Sequence, residues 1–122
     1  MEKGLTYTSK TTVCNENTAR KLGSGDMDVF ATPAMVALME NAAMNAVASH
    51  LPEGSTTVGS FIETSHIKPS GLGETVTATA VLEDAEGRKL TFKVTAADSK
   101  GTIGEGRHIR YIVDREKFLS KL

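Results

Sequence analysis

At 122 residues the chain is sized for a single domain, able to bury around two-thirds of the surface its unfolded form exposes. Its 14 basic and 15 acidic side chains nearly cancel, to a formal net charge of −1, and no basic tract is interleaved with aromatics, which argues against nucleic acid as a partner. No apolar run approaches the roughly 20 residues a bilayer requires, and MEKGLTYTSK lacks the apolar stretch of a secretory signal, so no membrane partner is expected.

Leu5 to Val13 alternates apolar and polar residues and is rich in Thr, the pattern of a half-buried strand. Residues 14–27, CNENTARKLGSGDM, are polar around a Gly-Ser-Gly turn and read as a loop or short helix, a natural place for a mobile lid. Cys14 is the sole cysteine, which excludes an internal disulfide and fits a reducing, cytoplasmic setting.

The stretch Asp28 to Leu51, DVFATPAMVALMENAAMNAVASHL, reads as the one long helix. Thr32 before Pro33 marks its start: Thr can accept from the first free backbone N–H groups, and Pro gives up an N–H that would be unpaired anyway. A body rich in Ala, Met and Leu favours helix, and Pro52 and Gly54 end it. Met35, Met39, Ala42, Ala43 and Ala46 form an apolar stripe, widened by Val36, Leu38 and Val47. The helix is therefore apolar nearly all round and must be wrapped by something.

Ser55 to Lys68 is a long β-prone run containing Gly59, and glycine inside a strand marks a bulge or a close backbone approach. PSGLG is turn chemistry, after which Glu74 to Glu83 and Leu90 to Ala97 alternate as strands around the hairpin DAEGRK, with Gly87 as its left-handed residue. Thr102 to Val113 is the last strand, and DREKFLSKL is a short amphipathic tail using Phe118 and Leu119. Short turns force antiparallel neighbours. The outcome is one α+β domain over residues 1–122, an antiparallel sheet of about five strands curled round one long central helix. So small a two-layer domain leaves a sheet edge and one side of the helix uncovered, and dimerisation is the expected remedy.

Four polar residues could carry chemistry. Glu40 lies on a helix face that otherwise wants burial, so it either meets water at the edge of the stripe or is paired, hydrogen-bonded or shifted in pKa. Thr32 sits at a helix N-terminus, where free N–H groups suit an oxyanion, although Thr before Pro is also an ordinary cap. His66, near the end of its strand, is the most convenient base at neutral pH. Arg110 is either a cross-strand ion-pair partner or a clamp for an anionic substrate. His50, at the helix C-terminus, and His108, between Arg107 and Arg110, are weaker candidates, and no Cys/His cluster has zinc spacing. Eight helical residues put Thr32 and Glu40 about 12 Å apart along the axis. They act together only if substrate, a third residue or a second subunit bridges them, which favours a composite site at a dimer interface.

Three segments, VFATPAMVALMENAA, GSFIETSHIKPSGLGETVTATA and IGEGRHIRYIVDREKF, resemble in order and spacing the hotdog-fold thioesterases, most closely the fluoroacetyl-CoA thioesterase group. The resemblance runs from about Thr6 to Phe118. It implies a hotdog fold, a homodimer as the basic unit with a dimer of dimers as its extension, and hydrolysis of an acyl-CoA thioester with no cofactor or metal, CoA being part of the substrate. The family's catalytic Thr, Glu and His match Thr32, Glu40 and His66. Its strand glycine and last-strand arginine match Gly59 and Arg110, which with Phe30 form the expected substrate-binding set. The lid segment departs from the pattern: GSGDMDVF is shorter and keeps only Phe30, so it should close less tightly and exclude less water.

The expected chemistry has the thioester carbonyl near the helix N-terminus and Gly59, with His66 as general base and later acid to the departing thiolate. Glu40 holds or polarises His66 or a water, and Thr32 attacks or positions the attacking water. Three rivals stand beside this reading. A hotdog hydratase would carry an Asp with a His five residues on, and neither Asp26 nor Asp28 has one. A non-catalytic acyl-CoA-binding module has no need of Thr32, Glu40 and His66 together. A purely structural domain would hold Glu40 on a buried face without return.

Overall fold

The computed structural model describes all 122 residues. In chain order they form β1 (Thr6–Thr12), α1 (Ala19–Leu22), α2 (Thr32–Val47), a 3-10 turn (Ala48–His50), β2 (Ser55–His66), β3 (Thr75–Glu86), β4 (Lys89–Asp98), β5 (Gly101–Asp114) and α3 (Arg115–Ser120). The five strands make one antiparallel sheet in the order β1-β3-β4-β5-β2, with α2 laid against its inner face. No helix is long and apolar enough to cross a membrane.

Alternation makes the core. Val76, Ala78, Ala80 and Leu82 of β3, with Leu90, Phe92, Val94 and Ala96 of β4, point inward and are almost fully buried. They meet Met35, Met39, Ala42, Ala43, Ala46 and Val47 of α2. Alanines on both surfaces let the helix lie close to the sheet. The helix rests mainly on β3 and β1 and only lightly on β4 and β2. The inner faces of β5 and β2 are thus left partly free, and the polar residues of interest occupy that space.

Two irregularities in the sheet shape that polar region. The β2–β5 register shifts between Gly59 and Phe61, so Gly59 faces Arg110 while Phe61 faces Ile109, with Ser60 as the extra residue of a bulge. Farther along, His66 pairs with Gly104. A Cβ at Gly104 would lie 2.5 Å from the Ser65 carbonyl oxygen and 2.8 Å from Met35 Sδ. The missing side chain therefore lets the first turn of α2 approach the end of β2.

The helix begins at Thr32, where the Thr32-Pro33 signal marks its start; Val29 and Phe30 ahead of it are held extended in bridges to Gly71 and Thr18. Two expectations are revised. The N-cap residue is Ala31, with no side-chain cap, so Thr32 opens the helix without capping it. The tail does form a short helix, capped by Asp114 accepting from Lys117 N at 3.0 Å, but Phe118 and Leu119 stay 39% and 62% exposed and bury little. Gly87 does take the left-handed conformation, at φ 61°.

Candidate active site

The residues singled out from the sequence fall into two clusters. The first joins the start of α2 to the end of β2. Thr32 Oγ1 lies 2.8 Å from His66 Nδ1, a hydrogen bond whose direction the imidazole tautomer sets. A hydroxyl freed from capping is thus spent on an imidazole. The other ring nitrogen, His66 Nε2, is buried and has no hydrogen-bond partner in the chain. Burial pushes the His66 pKa below its ordinary value of 6.5, with the backbone at Lys68 opposing that shift, so the ring is a neutral base at pH 7.

A cleft of about 270 Å³ opens onto this pair, lined among others by Ala19, Ser24, Val29, Phe30 and Ile67. Pockets for small molecules span roughly 300–1,000 Å³, so the cleft matches a small ligand group. Phe30 is 2% exposed and forms part of the core as well as the cleft wall. The segment carrying it is stitched at its base by backbone bonds: Ala19 N to Val29 O, Phe30 N to Ser70 O and Ala31 N to Asn17 O, at 2.9, 2.9 and 3.0 Å. Arg20 and Asp28 clasp across it at 2.9 Å. Only the tip, Gly23 to Met27, projects as an exposed loop.

The second cluster sits on β2, β5 and the middle of α2. Arg110 is buried, and its guanidinium is held by Nε donating to Thr57 Oγ1 at 2.8 Å and Nη2 donating to the Thr57 carbonyl at 2.9 Å. Nη1 lies 3.2 Å from His108 Nε2 and 4.0 Å from Glu40 Oε1. Burial lowers the Arg110 pKa and the Glu40 charge raises it, from a starting point so high that the guanidinium stays charged. Glu40 is therefore neither fully buried nor free: its side chain is 39% exposed and its carboxylate is paired at long range with Arg110. Gly59 makes room for this group, since a Cβ there would lie 3.0 Å from Glu40 Oε1.

Within one chain the structure joins Thr32 to His66, and Glu40 to Arg110 and Gly59. It does not bring Glu40 to His66. His50 is exposed and shares a 3.2 Å contact with Ser49 Oγ only. His108 and Thr57 emerge as members of the second cluster. The spacing of His108 and Arg110, two apart on a strand, already placed them on one face; the role of Thr57 needed the β2–β5 register. No group of three or more His, Cys, Asp or Glu side chains is arranged to hold a metal.

The family described as fluoroacetyl-CoA-specific thioesterase, FlK, matches residues 13–116. The chain belongs to this thioesterase family. The fluoroacetyl-CoA thioesterase of Streptantibioticus cattleyicolor is 42% identical over 95 residues, which cover 78% of this chain and 68% of that protein. A solved structure of FlK superimposes with a TM-score of 0.92 at 37% identity, over 99% of this chain and 94% of the other. A variant of FlK in complex with fluoroacetate and CoA gives 0.90 at 37% identity, over 97% and 99%. A thioesterase superfamily member from Thermus thermophilus gives 0.90 at 30% identity, over 98% and 88%. The hotdog architecture expected from the sequence is the one observed, and the thioesterase assignment places the chain among thioester hydrolases.

Proposed function

We propose that the chain hydrolyses a small or medium acyl-CoA thioester at a composite site formed by two copies of itself. The observation that carries this reading is the Thr32–His66 hydrogen bond at 2.8 Å, beside a cleft of about 270 Å³ and a helix N-terminus. Backbone N–H groups in the first turn of α2 have no helical partner and can stabilise the developing oxyanion. His66 Nδ1 takes the proton of the Thr32 hydroxyl as its oxygen attacks the thioester carbon, or of a water that Thr32 positions there. The tetrahedral intermediate collapses by breaking the C–S bond, and the imidazolium returns its proton to the CoA thiolate. On the first route a water then cleaves the acyl-Thr32 ester to give the free acid.

Glu40 enters from the second copy. The outer edge of β2 pairs with no strand of its own chain. Gly59, beside Glu40, and His66 lie at the two ends of one stretch of that edge strand. Because the bulged Ser60 and Phe61 share one ladder position, antiparallel pairing of two β2 strands about a two-fold axis at Glu63 sets residue 59 of one copy opposite residue 66 of the other. Glu40 of the partner subunit then faces His66, which its own Glu40 does not reach.

The test is thiol release across acetyl-, short-chain, medium-chain and aryl-CoA thioesters, after the exposed Cys14 has been titrated with the reporter reagent. His66→Ala should lose about 10²-fold or more. Mixing His66→Ala with Glu40→Gln under subunit exchange should restore about a quarter of wild-type activity, because half the dimers are mixed and each of those regains one intact site. No restoration after verified exchange would place both residues in one chain's site. No thiol release from any ester would remove the hydrolase reading.

A further inference from the structure

His108 takes no part in the proton transfers of His66, yet it is one of the most deeply buried polar side chains in the molecule, 1% exposed. We propose that His108 is a positioning residue that holds the Arg110 guanidinium in the orientation which presents Glu40 to the reaction. This role rests on the hydrolase reading and extends its machinery by one residue.

The neighbours of His108 fix its tautomer. Nδ1 lies 2.8 Å from the Phe61 carbonyl oxygen, which can only accept, so Nδ1 carries the proton. Nε2 lies 3.2 Å from Arg110 Nη1, which can only donate, so Nε2 is bare and accepts. Both ring nitrogens are committed and the ring is neutral. A second proton would set an N–H against the guanidinium, and burial and the Arg110 charge both lower the His108 pKa in keeping with this. His108 is thus unavailable as an acid or base. Its remaining action is geometric.

That geometry falls on one atom. Nε and Nη2 of Arg110 are fixed by Thr57, which sets the plane of the guanidinium. Nη1 has two hydrogens, of which His108 takes one. The other is left free, and Glu40 Oε1 lies 4.0 Å from the same nitrogen. At that separation the pair acts by charge and direction rather than by a tight bond, so the carboxylate stays free to engage another group. The Phe61 carbonyl that anchors His108 follows the Gly59 bulge, and a Cβ at Gly59 would lie 3.3 Å from His108 Cε1 and 3.4 Å from Arg110 Nη1. Bulge, imidazole, guanidinium and carboxylate therefore form one packed unit.

His108 is 1% exposed and presents no free polar atom to a ligand, so its loss should act on kcat. For His108→Ala we expect kcat to fall about tenfold or more with KM within about twofold of wild type. His108→Gln offers an oxygen to Nη1 and should recover most of the loss. In a Glu40→Gln background His108→Ala should change kcat by less than about twofold, because the two residues act in series. Full, multiplicative losses in both backgrounds would overturn the proposal, as would a loss seen only in KM or only in thermal stability. If the alanine variant does not fold, ¹⁵N NMR of the wild-type imidazoles at neutral pH decides: the proposal requires His108 protonated at Nδ1 and bare at Nε2, and the opposite tautomer or a doubly protonated ring refutes it. A wild type silent on every thioester would instead defeat the hydrolase reading, and with it any role for His108 in catalysis.

Discussion

Gly59→Ala separates function from stability more cleanly than any other single change. The added methyl would stand 3.0 Å from Glu40 Oε1, 3.3 Å from His108 Cε1 and 3.4 Å from Arg110 Nη1. His108 and Arg110 are pinned by hydrogen bonds to Phe61 and Thr57 and have nowhere to go. Glu40 is held only by the 4.0 Å pairing and is 39% exposed, so it is the group that yields, by a few tenths of an ångström. The backbone does not resist, because φ at residue 59 is not positive. Alanine in a strand interior is favoured over glycine by about 0.5–1 kcal/mol, which offsets the crowding. The expected outcome is a melting temperature within a few degrees of wild type, at about 4–8 °C per kcal/mol for a domain somewhat smaller than this one. The rate should nonetheless drop about 10- to 100-fold, or about 1.4–2.7 kcal/mol in the barrier, from a displaced carboxylate. Steady-state thiol release and thermal unfolding on the same preparation read both quantities. Wild-type kcat in Gly59→Ala, with Glu40→Gln strongly impaired, would show that the carboxylate's position does not matter and would refute the reasoning.

Other contacts lead to three more expected outcomes. Thr32→Ala should cost about 0.5–1.5 kcal/mol, the loss of the hydrogen bond to His66 alone, because Thr32 makes no cap bond. Its thiol release should fall sharply while Thr32→Ser, which keeps the hydroxyl, stays active; a destabilised but fully active Thr32→Ala would contradict the site. Gly104→Ala forces a Cβ to 2.5 Å from the Ser65 carbonyl oxygen and 2.8 Å from Met35 Sδ, so the unfolding free energy should fall by about 1–3 kcal/mol, read from denaturant titration, with activity falling as α2 and β2 separate. The pH dependence has a fixed sign. His66 and His108 both have folded-state pKa values below 6.5, so just below that pH the unfolded chain binds protons that the folded chain refuses. Their contribution to stability is therefore present above 6.5 and lost as pH falls from there through the folded values. Denaturant midpoints compared at pH 7.5 and 5.5 test this; an unchanged or higher midpoint at the lower pH would count against it.

Much of the molecule was legible in the chain because it depends on local periodicity and on turn chemistry. Period-two alternation placed β1, β3 and β4, Gly87 placed a hairpin, and an apolar stripe between Pro33 and Pro52 placed α2. These are properties of neighbouring residues, and a linear reading captures them. The cap was misassigned to Thr32 because Val29 and Phe30 are held extended by Gly71 and Ser70, which are distant in sequence, and the helix is entered through Ala31. The same long-range packing took Thr32 away from capping and gave its hydroxyl to His66. Sequence could nominate Thr32, Glu40, His66, Gly59 and Arg110 as unusual side chains in unusual places. Only the strand register, with its bulge at Gly59, sorted them into a Thr32–His66 pair and a Glu40–Arg110–His108 cluster, because polar groups two elements apart meet through the sheet and not along the chain.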